Sequence, residues 1–98
     1  MTIQKTQTGT ELTLALSGRL DTTTAPQLEA ALKSALEGVT ALTMDFKELA
    51  YISSAGLRVL LSAQKAMMKK GNMVVRNVNE TILEVLEVTG FSQILTLA

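Results

Sequence analysis

The sequence predicts an α/β fold with one mixed, mostly parallel β-sheet of about four strands and with helices mainly on one side. Apolar residues recur at every second position in some segments and at helical spacing in others, and the two kinds of segment alternate along the chain. Helices between strands imply crossover connections and parallel pairing, whereas a short connection implies an antiparallel hairpin. We predict the order β-β-α-β-α-β-α in a single domain over residues 1–98.

The first two strands are predicted to form a hairpin. Leucines occupy alternate positions of Glu11–Ser17, which places them on one face of a strand. The weaker segment Thr2–Gln7 precedes it, and the connection Thr8–Thr10 has hairpin length and a central glycine. The two segments are therefore expected to pair with each other.

The first helix is predicted to begin at a capping box. The Thr24 hydroxyl and the Gln27 side chain can each satisfy a free backbone N–H there, and Pro26 has no N–H to satisfy. An apolar stripe follows at helical spacing and consists of Leu28, Ala31, Leu32, Ala35 and Leu36. Gly38 is the predicted end of this helix.

The next strand and helix form the centre of the chain. Thr40–Phe46 is apolar at nearly every position up to Met44, which predicts a strand that is covered on both faces. A loop is expected at Lys47–Ile52, and a second helix then starts at Ser53 and Ser54. The predicted buried stripe of that helix consists of Leu57, Leu60, Leu61 and Met68.

The last predicted elements are a core strand, a helix and an apolar tail. Lys69–Gly71 combines cationic side chains with a glycine, which is typical of a helix end. Met73–Val75 is the predicted strand, and Asn79 is the expected N-cap of a helix that closes at Thr89–Gly90. The tail Phe91–Ala98 is apolar enough to pack back on the domain.

Composition excludes several kinds of chemistry. Nine Lys and Arg balance nine Asp and Glu, so the basic excess that binds nucleic acid is missing. The chain has no cysteine and no histidine, which excludes thiolate nucleophiles, cysteine-ligated zinc and imidazole bases. We therefore expect no cofactor, no metal and no enzymatic activity. Since no signal peptide or bilayer-length apolar run is visible, a cytoplasmic protein without membrane insertion is expected.

Two hydroxyl groups stand at the predicted start of the second helix, on Ser53 and Ser54. In one interpretation, one of them is an N-cap that contributes about 1 kcal/mol to stability. In the other, the serine is phosphorylated, because the free N–H groups and the positive dipole end of a helix N-terminus suit a phosphate. Spacing alone leaves both interpretations open.

Two separated motifs resemble a known family. Tyr51–Leu61 resembles the signature of STAS domains, specifically of the anti-sigma factor antagonists of bacterial partner-switching systems. Leu16–Asp21 is similar to the strand-end motif of that family, which reads Gly, a variable residue, Leu, Asp. The resemblance extends over nearly the whole chain and includes Leu42–Phe46, Val75–Val78 and Gly90-Phe91. It implies a STAS-like fold over residues 1–98.

The resemblance also implies a phosphorylation switch. The family's modified serine lies two residues before a glycine, which is Ser54 here, and Ser53 is the runner-up site. Unmodified Ser54 would allow docking on an anti-sigma factor that is also a serine kinase of ATPase-like fold. Phosphorylation would release that partner, and a PP2C-type phosphatase would reset the switch. The implied partner-binding residues are Asp21, Ser53, Ser54, Gly56, Leu57 and Arg58.

Several alternatives remain open from the sequence. Asp21 either lies beside the serine-bearing loop as a binding residue or is a turn residue before the first helix. Arg58, one helical turn after Ser54, either pairs with a phosphate or an acidic partner group or is simply solvated. The same surface also suits a non-catalytic subunit of a larger assembly, such as a lipid-transport ATPase complex or a stress-signalling scaffold. A small enzyme is the least favoured alternative.

Overall fold

Four strands form one mixed sheet in the order β1-β2-β3-β4. They are β1 (Thr2–Thr8), β2 (Glu11–Leu20), β3 (Ala41–Ile52) and β4 (Asn72–Arg76). β1 pairs antiparallel with β2, whereas the β2–β3 and β3–β4 pairs are parallel. This computed structural model, which describes residues 1–98, confirms the predicted fold class and the hairpin at the start of the chain.

Four helices accompany the sheet: α1 (Ala25–Ala35), α2 (Ser54–Met68), α3 (Glu80–Val88) and α4 (Phe91–Ile94). α1 connects β2 to β3, and α2 connects β3 to β4. The short α4 lies in the tail that was expected to pack back on the domain. After α4 the tail pairs with β4 through a bridge between Val75 and Leu97. No helix is both long and apolar enough to cross a bilayer.

The core lies on one face of the sheet. Leu42, Met44 and Phe46 on β3 are fully buried, while Thr43 between them stays partly exposed. The prediction that Thr40–Phe46 is covered on both faces is therefore wrong. Small and polar side chains tolerate a solvent-facing position in a strand, so an apolar-looking run can still have an open face.

β3 is longer than the sequence predicted. The segment Lys47–Ile52, expected as a loop, is the second half of this strand. It continues the pairing with β2 after two register shifts, which lie between Ala15 and Arg19. Such irregularities interrupt the alternation of side chains, so the buried Leu49 and Ile52 do not follow a period of two. The pattern of this segment therefore does not show a strand.

The start of α1 differs from the predicted capping box. The Thr24 hydroxyl accepts the Asp21 N–H and donates to the Arg19 carbonyl, each at 2.8 Å. The Gln27 amide donates to the Met1 carbonyl instead of a residue in its own helix. Because the backbone of Thr24 is helical and not extended, its side chain does not cap α1 and instead holds the loop to the end of β2.

The buried face of α2 also differs from the predicted stripe. Leu57 and Leu60 are buried as predicted, but Leu61 is half-buried and Met68 is 71% exposed. Met67 takes the inner position and is fully buried. Adjacent residues are about 100° apart around a helix, so shifting the stripe by one position moves a side chain from solvent to core.

Asn79 caps α3 as predicted and also ties it to the sheet. Its Oδ1 accepts the Ile82 N–H at 2.8 Å, and its Nδ2 donates to the Leu49 carbonyl at 2.9 Å. We expect Asn79→Ala to lower the free energy of unfolding by about 1–3 kcal/mol, because both hydrogen bonds are lost. Asn79→Asp keeps the acceptor and should lose less. Urea unfolding measures both variants, and equal losses would contradict the two-bond explanation.

Candidate functional site

Ser54 is the first residue of α2, where β3 ends and the helix begins. Ser53 precedes it in extended conformation as the N-cap residue. The Ser53 N–H donates to the Leu20 carbonyl at 2.9 Å. This bond joins the carboxyl ends of the two parallel strands β2 and β3, so the loop before α1 and the start of α2 lie at the same edge of the sheet.

The two serines differ in exposure. Ser54 is exposed, whereas Ser53 is half-buried and its Oγ is shielded from solvent without a hydrogen bond inside the chain. Ser53 occupies the N-cap position, but its side chain does not bond to the first turn of α2. Ser53 is therefore the N-cap by position, as one interpretation predicted, but its hydroxyl does not form the stabilising cap hydrogen bond. Of the two hydroxyl groups, the one on Ser54 has room for a bulky modification.

Gly56 and Leu57 lie inside the fold. Leu57 is 4% exposed and Gly56 is also buried. A Cβ on Gly56 would lie 2.6 Å from Cγ of Leu20 and 3.1 Å from Cγ1 of Ile52, so a glycine is needed for α2 to approach the strand ends this closely. The Leu57 side chain is thus covered within this chain, and Gly56 has no side chain, so direct contact of these two residues with a partner stays a prediction. Their packing sets the position of Ser54.

Asp21 organises the loop between β2 and α1. Its Oδ1 accepts the Thr23 hydroxyl at 2.8 Å and the N–H groups of Thr23 and Thr24 at 3.0 and 3.1 Å. These bonds, above all the one from the Thr23 hydroxyl, hold the pKa of Asp21 below its ordinary value. Its Oδ2 lies 3.7 Å from Nε of Arg19. The geometry agrees with the turn interpretation of Asp21 and places it at the edge that carries Ser54.

Arg58 is exposed on α2 and forms no ion pair within the chain. Side chains four residues apart on a helix have their Cβ atoms about 5–6 Å apart, so Arg58 can reach a group attached to Ser54. Arg58 also lines a groove of about 280 Å³ between α1 and α2. The polar side chains that share this groove are Thr22, Glu29 and Ser62.

Sequence patterns did not indicate Arg19 or Tyr51 as site residues. The two are neighbours in the parallel register of β2 and β3, and Cζ of Arg19 lies 4.1 Å from the centroid of the Tyr51 ring. Each lies within one of the two motifs, but only the pairing of β2 with β3 shows that the two side chains are in contact. The site thus combines an exposed hydroxyl, a carboxylate, an aromatic ring and two guanidinium groups. No three metal-ligating side chains come together in the fold.

A family model described as Mlab, STAS domain, matches residues 3–96. The chain belongs to the STAS-domain family. The resemblance stated from the motifs at Leu16–Asp21 and Tyr51–Leu61 is thereby confirmed. The match covers all four strands nearly completely, so the edge that carries Ser54 is part of the family's domain.

Known proteins similar to this STAS domain include two bacterial relatives. BtrV of Bordetella bronchiseptica, named as a candidate anti-sigma factor antagonist, is 36% identical over 89 residues, which cover 89% of this chain and 77% of BtrV. The anti-sigma-B factor antagonist of Listeria monocytogenes is 30% identical over 83 residues, which cover 82% of this chain and 72% of that protein.

Solved structures share the fold of this STAS domain. The anti-sigma factor antagonist SpoIIAA in its unphosphorylated form superposes with a TM-score of 0.78 at 21% identity, over 99% of this chain and 87% of SpoIIAA. The phosphorylated form of SpoIIAA, a Bacillus cell fate determinant, gives a TM-score of 0.77 at 22% identity, over 99% of this chain and 91% of that one. At this identity the likeness shows the fold.

Gly56→Ala should destabilise the domain by about 1–3 kcal/mol, because the new methyl group overlaps Leu20 beneath it. Leu20→Ala removes the overlapping atoms, so its cost should be smaller in the Gly56→Ala background than in the natural chain. Urea unfolding of the two single variants and the double variant measures this coupling. Strictly additive losses would contradict the proposed contact.

The lowered pKa of Asp21 makes part of the stability depend on pH. The pKa of Asp21 in the folded chain is below the ordinary value of 3.8. Asp21 therefore contributes its full share to the free energy of unfolding above pH 3.8, and this share is lost as pH falls through the folded pKa. Asp45, whose pKa is lowered mainly by a hydrogen bond from Asn77, acts in the same direction. Urea unfolding between about pH 2 and pH 6 should show a shallower acid loss for Asp21→Asn. An unchanged profile would contradict this assignment.

Proposed function

We propose that this STAS domain is an anti-sigma factor antagonist that docks on its partner through the surface around Ser54 and is released when Ser54 is phosphorylated. The main observation that supports this proposal is that Ser54, the first residue of α2, is exposed beside the Asp21 loop. The two bacterial relatives, which are named as anti-sigma factor antagonists, support the antagonist role. In this proposal the protein acts by binding alone, without catalysis and without a cofactor.

A phosphate on Ser54 is compatible with the fold. The first turn of α2 has free N–H groups, and the positive end of the helix dipole stabilises a nearby anion. Arg58 lies one turn further on the same side of the helix and can form a charge-assisted hydrogen bond with the phosphate. The modification therefore changes the surface of the domain without unfolding it. SpoIIAA, which shares the fold, also exists in a phosphorylated form.

The same phosphate is sufficient to release a docked partner. It adds nearly two negative charges in the centre of the proposed contact surface. Changing the bound fraction from 99:1 to 1:99 requires about 5.5 kcal/mol of differential affinity. Bringing the phosphate against like charges of a partner costs several kcal/mol, which is of the required size.

The proposed partners are the proteins that would bind, phosphorylate and dephosphorylate Ser54. An anti-sigma factor that is also a serine kinase of ATPase-like fold would bind the unmodified surface and transfer the phosphoryl group, and a PP2C-type phosphatase would remove it. The exposed Ser54 can enter a kinase active site, whereas the shielded Oγ of Ser53 cannot do so without local rearrangement. Asp21 and Arg58 would lie at the edges of the docked surface, with Gly56 and Leu57 as its packing base.

A second candidate function is a permanent, non-catalytic subunit of a larger assembly, such as a lipid-transport ATPase complex or a stress-signalling scaffold. The matching family model, described as Mlab, STAS domain, names the domain and no phosphorylation, so it is compatible with this alternative as well. In it, the surface around Ser54 would contact a partner that is never released by phosphorylation.

Incubation with ATP and the purified ATPase-like serine kinases of the source organism should identify one that adds a single phosphate, about 80 Da by intact mass. Ser54→Ala should abolish the modification but retain binding, whereas the matched control Ser53→Ala should still be modified. Ser54→Asp should weaken binding at least about tenfold by calorimetry, because it introduces part of the phosphate charge. If no kinase modifies the chain and both Ser54 variants bind a partner equally, the phosphorylation switch is refuted and the permanent-subunit alternative is favoured.

A further inference from the structure

We propose that Arg19 and Tyr51 form an anchor that recognises an acidic side chain of the docked partner protein, and this inference rests on the proposed function of the surface around Ser54. The proposed ligand is a carboxylate, of Asp or Glu, presented by the anti-sigma factor. The anchor determines which partner is accepted, while Ser54 determines when the partner is bound.

The two side chains form a preorganised unit. They are neighbours in the register of β2 and β3, and the guanidinium carbon of Arg19 lies 4.1 Å from the Tyr51 ring centroid. The Arg19 side chain remains 63% exposed and Tyr51 remains 38% exposed. A cation stacked on an aromatic ring in this way loses little further conformational freedom when it binds a ligand.

The chemistry of Arg19 favours a carboxylate. Its Nε forms an ion pair with Oδ2 of Asp21 at 3.7 Å, which is too long for a hydrogen bond, and its guanidinium donates no hydrogen bond inside the chain. The other carboxylate oxygen of Asp21 is occupied by N–H and hydroxyl groups of the loop. The N–H groups of Arg19 are therefore still available for the two parallel hydrogen bonds that a carboxylate accepts, beside the ion pair with Asp21.

The anchor lies within the area that a partner docked on Ser54 would cover. Tyr51 precedes Ser54 by three residues, so their Cα atoms are at most about 11 Å apart. A specific interface buries about 800 Å² on each partner, which corresponds to a patch of about 16 Å radius. Tyrosine and arginine are also the residue types that most often dominate binding at such interfaces.

Tyr51 provides a direct test because it is the only tyrosine of a chain without tryptophan. Biosynthetic fluorotyrosine gives one fluorine NMR signal, which is observed during titration with the kinase that modifies Ser54. The signal should shift or broaden when the unmodified chain binds. It should stay at its free position when Ser54 carries the phosphate. A signal that does not respond to the bound kinase would overturn the anchor.

Arg19→Glu should raise the Kd for this kinase at least about tenfold, because it places a carboxylate opposite a carboxylate. Arg19→Lys keeps the charge without the planar fork and should have a smaller effect. The matched control Lys65→Glu reverses the same charge on exposed α2, about 16 Å along the helix from Ser54, and should change Kd less than about twofold. Circular dichroism checks that each variant is folded.

The outcomes separate the two proposals. If Arg19→Glu and Lys65→Glu have equal effects while Ser54 is still phosphorylated and controls binding, the anchor is wrong and the switch stands. If Arg19→Glu alone weakens binding, the anchor is supported, and at saturating kinase the variant should still receive its phosphate. If no ATPase-like kinase of the organism binds the natural chain, both proposals fail.

Discussion

The close contact between the first turn of α2 and the ends of β2 and β3 is the constraint on which the site depends. Gly56 lets the helix rest directly on Leu20 and Ile52, with no space for a Cβ between them. The Ser53 N–H bonds to the Leu20 carbonyl and fixes the same junction from the backbone side. A hydroxyl that leaves this junction has a fixed position, which a docking surface requires.

The first turns of α2 therefore combine a buried, tightly packed face with an exposed face that carries reactive and charged side chains. Leu57 and Leu60 anchor α2 in the core, while Ser54 and Arg58 face away from it. A phosphate added to such a helix start changes charge and shape at the surface but breaks no core contact. In the proposed function, this arrangement would let the domain exchange partners without first unfolding. Asp21 accepts hydrogen bonds from its own loop and so orders that loop.

Sequence patterns predicted the structure correctly where it depends on residues within a single helix or strand. The alternating leucines of β2 and the Asn79 cap of α3 were both predicted correctly, because side-chain period and capping depend on residues close in the chain. The second half of β3 and the cap at Thr24 were not, because bulges in the pairing with β2 and a loop bonded to Arg19 override local preference. The inner position of Met67 likewise depends on how α2 is rotated against the sheet.

For the site, the sequence by itself determined the family, the mixed sheet and the position of Ser54 at a helix start, because these follow from period, spacing and motif. Tertiary structure alone decided that Ser54 is exposed while the Oγ of Ser53 is shielded, and that Gly56 and Leu57 are covered. It alone brought Arg19 onto Tyr51. Exposure and contacts between strands depend on which distant segments pack together, and no local pattern encodes that choice.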